Sequence, residues 1–288
     1  MNKFAIIDIG SNSVRLMFVA DGIVLYKAVN TTRLGEGLAQ SPFLKDTAVE
    51  RSAQAVASFY AKAKAEGAEK IGIFATAAVR SAQNKELFLN RVQELCGATV
   101  EVISGEMEAE IGILGALGGL DGGVIDIGGA STEIVLKEKG VLTYKKSVNI
   151  GVVRLKDGCG RDREKLQAMA LSAVQAYGTL PPIKTLYAIG GTATTLGAIA
   201  TGLEEYSSAG VTGAEITLAE MRALVDMLFE KSVEEIAQLP CMPKGRADVI
   251  AGGALLFQVL MEELGIEKII VSDRDNLEGY AIQKGWMK

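Results

Sequence analysis

The chain has 288 residues, 49% of them hydrophobic, which is enough for a packed core and excludes a disordered chain. Its net charge of −5 leaves no basic face for duplex nucleic acid, and the complete lack of histidine excludes a Ser-His-Asp triad, a His-ligated zinc and a His general base. Three widely spaced cysteines, Cys96, Cys159 and Cys241, make neither a disulfide framework nor a CxxC metal motif, which fits a reducing, cytoplasmic setting. Met1-Asn2-Lys3 runs straight into a strand, so no signal peptide is expected, and no apolar run is long enough for a membrane span. Abundant Gly (33) with scarce Pro (5) suits an α/β protein with tight strand–helix turns.

In chain order, 4–9, 14–20 and 23–30 read as three successive antiparallel strands. Asp8 ends the first, and Gly10-Ser11-Asn12-Ser13 forms the turn into the second. Asp46 to Glu66 has helical spacing and ends at Gly67, and 71–74 is a short buried strand with a turn at 76–80. A helix at 86–95 and a strand at 100–103 follow, and Ser104 is placed to cap a helix reaching about Ala116. Four glycines within 117–123 mark the domain boundary, giving an N-terminal domain 1–121 and a C-terminal domain 122–288.

The second half restarts the pattern, with strands at 123–127, 132–138 and 141–149. Asp126 ends the first of these, and Gly128-Gly129-Ala130-Ser131-Thr132 is the turn. Such a turn can aim backbone N–H groups and two hydroxyls at an anion, while the carboxylate at the strand end can hold a cation or its water. Helices are expected at 162–177, 218–230 and 246–264. A strand at 186–189 enters Gly190-Gly191-Thr192 and a further helix, and a strand at 269–271 leads to a terminal helix that packs back on the first domain. Each half reads βββαβαβα, a duplicated unit expected to carry a mixed five-stranded sheet with the cleft between halves.

A duplicated unit with an Asp-Ile-Gly turn after each first strand resembles the actin-like, ribonuclease H-like superfamily. Within it, the chain resembles the Ppx/GppA family of exopolyphosphatases and guanosine-pentaphosphate phosphohydrolases. The motifs that carry this are IDIGSNSVRL, ATAAVR at 75–80, ISGEMEAE at 103–110, VIDIGGASTE, AIGGTATTLGA at 188–198, GRADVIAGG at 245–253 and VSD at 271–273. The resemblance implies a Mg²⁺-dependent hydrolase that removes terminal phosphate from inorganic polyphosphate or a guanosine penta- or tetraphosphate. It implies Glu108 as the carboxylate that orients the attacking water, Asp8 and Asp126 on the metal or its waters, and the two turns around phosphate. Arg15, Arg80 and Arg246 fall on positions that face phosphates in that family, as does the Gly190-Gly191-Thr192 turn.

Several positions depart from the family pattern. Ala130 stands for the third Gly of the second turn, Glu110 for an Arg, and Val211-Thr212-Gly213 lacks a common histidine. Asp275-Asn276-Leu277-Glu278-Gly279 stands where Gly-Leu-Arg-Glu-Gly is usual. Fewer cations should weaken capture of long polyanions without excluding a shorter phosphate substrate. Long members carry a further helical domain for which this length leaves no room. Two other readings stay open: a non-catalytic sensor of (p)ppGpp or another phosphate ligand, and an ATP-dependent small-molecule kinase with its nucleotide near Gly190-Gly191. Neither turn reads GxGxxG, so a dinucleotide-binding dehydrogenase is not expected. A homodimer is left open.

Overall fold

The structure, a computed structural model, describes residues 2–288. The first half runs β1 (Lys3–Ile9), β2 (Ser13–Ala20), β3 (Ile23–Thr31), α1 (Asp46–Ala65), β4 (Lys70–Ala75), α2 (Ala77–Ser81), α3 (Lys85–Cys96), β5 (Glu101–Val102) and α4 (Gly105–Leu117). The second begins β6 (Gly122–Ile127), β7 (Thr132–Glu138), β8 (Val141–Val148), α5 (Val152–Cys159), α6 (Arg163–Val174) and a 3-10 turn at Gln175–Tyr177. It continues with β9 (Thr185–Ile189), α7 (Gly190–Ala200), α8 (Ser208–Val211), β10 (Glu215–Thr217), α9 (Leu218–Glu230), α10 (Val233–Ala237), α11 (Ile250–Leu264), β11 (Lys268–Val271) and α12 (Asn276–Gln283).

The first sheet has five strands in the order β3-β2-β1-β4-β5, with β1, β4 and β5 parallel and the meander antiparallel. The second repeats this as β11-β9-β6-β7-β8 and adds β10 antiparallel to β11. It is therefore six-stranded, not five, because the three-residue Glu215-Ile216-Thr217 pairs along the β11 edge. This is the duplicated actin-like architecture. β1 and β6 are central and apolar on both faces because helices cover both sides.

In the first sheet, Val49, Ala53 and Val56 of α1 and Phe88 and Val92 of α3 pack on one face. The other face is covered by α12 from the far end of the chain, through Leu277, Tyr280 and Ala281 against Phe4, Ile6 and Phe74. The rings of Phe74 and Tyr280 stack at 4.6 Å. The helix expected to pack back on the first domain does so. In exchange, α4 lays Ala109, Ile113 and Leu117 on Val124, Val135 and Ile189 of the second sheet. We propose to keep the domains as 1–121 and 122–288, defined by their sheets, with these two helices exchanged.

The exchange brings α4 and α12 together on glycine. A Cβ at Gly115 would lie 1.8 Å from the Asp275 carbonyl oxygen, and one at Gly279 would lie 1.7 Å from that of Ile111. Ser104 caps α4 by accepting from the Met107 N–H at 3.1 Å, as expected. A capping box at Asp275 and Glu278 starts α12. Two expected boundaries move. Residues 76–80 hold the short helix α2, not only a turn, and α11 begins at Ile250, so Arg246 lies in the loop before it.

Gly115→Ala and Gly279→Ala are expected to cost roughly 1–3 kcal/mol each, since a methyl there meets backbone that cannot step aside. Gly119→Ala, where a Cβ would meet no atom within 4 Å, should stay within about 0.5 kcal/mol of wild type. Urea unfolding midpoints of the three variants check this.

Candidate active site

The two strand-ending turns face each other across the cleft. A Cβ on Gly129 would lie 2.7 Å from the Ser11 Cβ and 3.0 Å from the Asn12 N. Glycine is needed at 129 for this approach, not for an unusual φ. Ala130 is likewise outside the positive-φ residues, so the third position of the turn accepts a side chain without strain.

The carbonyls of both turns are turned away from the cleft and occupied. Ser11 O accepts from Gly35 N, and Asn12 O from Thr32 N and Arg33 N. Gly128 O accepts from Val152 N, and Gly129 O from Val153 N and Arg154 N. Among the described residues, the backbone N–H groups of Ser11, Asn12, Gly129 and Ala130 have no acceptor. They line a cavity of about 70 Å³, together with Asp8, Gly10, Ser13, Arg15, Glu108, Asp126, Gly128, Ser131, Gly190, Gly191, Thr192, Arg246 and Asn276. Neighbouring backbone amides without acceptors are the chemistry of an anion-binding nest.

Glu108 reaches this cavity from the first turn of α4 and is 7% exposed. Arg80 donates to its Oε2 at 2.8 Å and to the Ile103 carbonyl at 3.1 Å. Burial pushes the Glu108 pKa up to about 7, against the pull of Arg80. Its neighbours turn elsewhere: Glu106 is exposed, and Glu110 pairs with Lys145 at 2.7 Å. Arg80 is thus engaged by Glu108, and it is not among the residues that line the cavity.

Arg15 lies opposite Asp8 across the β1–β2 hairpin. Its guanidinium bonds Asp8 Oδ2 and, from the far end of the chain, Asp275 Oδ2. It borders the cavity, yet its donors are engaged by two carboxylates. Arg246 differs: it is 8% exposed, its Nε has no partner, and among the described residues no carboxylate pairs with it. Burial, with Arg15 nearby, pulls its pKa down to about 10, so it stays charged at neutral pH. Gly191 makes room for it, since a Cβ there would lie 2.2 Å from its Nη1. Gly190, with φ +78°, leaves space for Asp126, whose Oδ1 would be 2.5 Å from a Cβ. The Thr192 hydroxyl donates to the Ile127 carbonyl.

Thr132 does not join the site. Its hydroxyl donates to Ile150 O at 2.7 Å and it is fully buried, so its place in the turn is structural. One residue was missed. Glu133, buried, faces Asp126 across the β6–β7 hairpin, as Arg15 faces Asp8 in the first half. Ser147 donates to it at 2.6 Å, and its other oxygen has no partner. Burial and the charges of Glu108 and Asp126 hold its pKa well above the usual range. The equivalent hairpin position in the two halves was the available signal.

Burial also raises the pKa of Asp126, to about 8, with Glu108, Asp275 and Asp8 adding to the effect against Arg15. Asp8 is raised by burial too, and its Oδ1 is buried without a partner. Such a cluster suits a divalent cation, which relieves the repulsion. Among the described residues, no three acidic or Cys groups lie close enough to hold a metal by themselves. One or two carboxylates can hold a divalent cation where waters and substrate oxygens complete its shell.

A second cavity of about 850 Å³ opens beside the first and shares Arg15, Gly190, Gly191 and Arg246 with it. Leu25, Val29, Met242, Pro243, Leu277 and Met287 supply apolar wall, and Asp273, Asp275 and Glu278 supply charge. Among the described residues, no helix is long and apolar enough to cross a membrane.

Backbone amides without acceptors, a buried glutamate and two buried aspartates thus meet at the junction of two actin-like sheets. The Ppx/GppA phosphatase family model matches residues 16–284, and the chain belongs to that family. It is 31% identical to exopolyphosphatase 2 of Mycobacterium tuberculosis, with 98% of each chain covered. It is 30% identical to a guanosine-5'-triphosphate,3'-diphosphate pyrophosphatase of Photobacterium profundum, where 98% of this chain covers 58% of the longer relative. The crystal structure of the Aquifex aeolicus Ppx/GppA family member superposes with a TM-score of 0.79 at 28% identity, over 98% of this chain and 97% of that one.

The raised pKa of Glu108 sets a sign for stability. Between the ordinary value of 4.5 and about 7 the unfolded chain loses this proton before the folded one does, so the Glu108 contribution falls as pH rises through that window. Glu108→Gln does not titrate. Its melting temperature minus that of wild type should rise from pH 4.5 to pH 7 and then level off, as scanning calorimetry across pH would record; a difference that falls over this window contradicts the assignment.

Proposed function

We propose that this protein is a Mg²⁺-dependent phosphoanhydride hydrolase that releases the terminal phosphate of inorganic polyphosphate or a guanosine penta- or tetraphosphate. The observation that carries this reading is the pair of amide sets, at Ser11-Asn12 and Gly129-Ala130, left without acceptors in a cavity that Glu108 also lines. The two curated relatives are named for activities on these two substrate classes, and in both the scissile bond is a terminal phosphoanhydride.

In this mechanism the terminal phosphoryl group sits between the turns, its oxygens on the free amides and the hydroxyls of Ser11, Ser13 and Ser131. Arg246 offsets charge where the chain leaves the nest. Glu108 holds a water in line with the phosphorus and takes its proton as the new P–O bond forms. The bridging P–O bond breaks, and the shortened substrate leaves with the electron pair. Asp8 and Asp126 would hold Mg²⁺ through its waters, and the cation supplies charge neutralisation at the phosphate oxygens. Arg80 acts on Glu108, keeping it partly ionised, rather than on the phosphate.

The second cavity favours the guanosine compounds over long inorganic chains. Its volume lies within the ~300–1,000 Å³ of small-molecule sites, and its walls are largely apolar, as such sites are. Two of its cations are already paired, Lys27 with Glu278 and Asp273, and Arg15 with Asp275 and Asp8, which leaves Arg246 and Arg274 for an anion. A nucleoside meets hydrocarbon there, from Leu25, Val29, Met242, Pro243 and Leu277.

Purified protein with Mg²⁺ is expected to release phosphate from pppGpp and from short polyphosphate, with kcat/KM falling as the inorganic chain lengthens. Tight calorimetric binding without release would instead support a sensor. Glu108→Gln should lose roughly 10²–10⁴ in kcat, the worth of one general base, with KM unchanged or lower because a negative charge near phosphate is gone. Glu106→Gln and Glu110→Gln should keep most activity. A wild-type rate in Glu108→Gln, with either control dead, identifies the wrong carboxylate.

A further inference from the structure

We infer that Asn276 is a positioning residue that fixes the carboxylate of Asp126, reaching it because α4 and α12 cross on glycine; the inference rests on the hydrolase reading above. Asn276 is the first residue of α12, is 4% exposed, and lines the cavity beside Asp126 and Glu108. Its Nδ2 donates to Asp126 Oδ2 at 3.1 Å, and this is the one hydrogen bond that Asp126 receives from a side chain among the described residues. In this arrangement the amide presents its Nδ2 to Asp126 and turns its Oδ1 away.

That choice sends the Asn276 Oδ1 toward α4, where it is buried without a donor. It lies over Gly112, one turn beyond Glu108, and a Cβ at Gly112 would approach it to 3.0 Å. Gly115 and Gly279 bring the two helices close enough for this contact. On the far side of Asp126, the left-handed Gly190 leaves room for Oδ1. Asp126 is thus held by Asn276 through one oxygen and presents the other along Gly190. The same segment anchors Arg15 through Asp275. The Asp-Asn pair, which stands in place of the usual Gly-Leu, therefore supplies one contact to each half of the site.

A partner that orients a ligating carboxylate is typically worth about 10–100-fold in activity or metal affinity. Asn276→Leu keeps the size and removes the donor. It should fold, lower kcat for phosphate release about 10–100-fold, and leave KM close to wild type. Gly112→Ala, which touches no substrate, should lower kcat in the same direction by displacing the amide. If both act through one contact, the double variant is no slower than Asn276→Leu alone. Crystal structures give a readout independent of activity: the Asp126 carboxylate should rotate in Asn276→Leu and keep its orientation in wild type. A wild-type kcat in Asn276→Leu, two effects that multiply in the double variant, or an unmoved Asp126 each overturns the inference. Absence of phosphate release from the wild-type protein overturns the hydrolase reading instead, and the orientation of Asp126 in the two crystal structures still decides this one.

Discussion

Four carboxylates, Asp8, Glu108, Asp126 and Glu133, are buried where the two sheets meet, and most of the surrounding architecture answers that one cost. Burying a charge without a partner is among the most expensive acts in a fold. Here the acids raise one another's pKa, and the fold offsets this with a cation or a donor at each place it can. Arg15 bridges Asp8 and Asp275, Arg80 holds Glu108, Asn276 holds Asp126, and Ser147 holds Glu133. The two arginines that the motifs place toward phosphate are therefore spent largely on the protein's own acids. Arg246, lying on Gly191 with no carboxylate, is the buried cation left for an anion. A divalent cation and a phosphate together would complete this balance.

The exchanged helices make that balance a property of the whole chain. The helix α4 carries Glu108 but packs on the second sheet, and α12 carries Asn276 but packs on the first. Each sheet thus depends on a helix from the other half for one of its faces. The glycine crossing between them is the point where both halves and the site share atoms. A shift of α12 moves Asp275 and Asn276 together, and with them the partners of Arg15 and Asp126.

Much of this was legible because the signals were local. Apolar runs ending in Asp-Ile-Gly gave both hairpins, and Ser104 gave the start of α4 and hence the placement of Glu108. What was not legible depended on pairing at a distance. The strand β10 is three residues with one apolar side chain, too short to register as a strand before β11 is seen beside it. The helix α5 begins Val-Val and ends near two glycines, which hides its period. Glu133 sits in an otherwise apolar strand, and its inward aim follows from hairpin register with Asp126 rather than from composition. Thr132, in contrast, looked like a ligand by type and is a structural donor by geometry. Glu108, the partner of Arg80, lies 28 residues away in sequence, and Asp275, the second partner of Arg15, lies 260 away.

The closure of the cleft bears on why a terminal phosphate would be the one removed. On one side the loop after β3 is fastened across the cleft: Arg33 to Asp248 at 2.8 Å, the Gly37 N–H to Asp157 at 2.6 Å, and Thr31 to the Lys244 carbonyl at 2.9 Å. The two turns and the glycine crossing close the inner wall. The small cavity adjoins the second, larger one, through Arg15, Gly190, Gly191 and Arg246. On the proposed reading, a substrate enters through the larger cavity and its end reaches the nest, the smaller of the two at about 70 Å³. End-selective cleavage then needs no recognition of a chain terminus as such. It follows from the difference in size between the two cavities, with the remainder of the substrate left in the larger one and Arg246 at the junction to hold it.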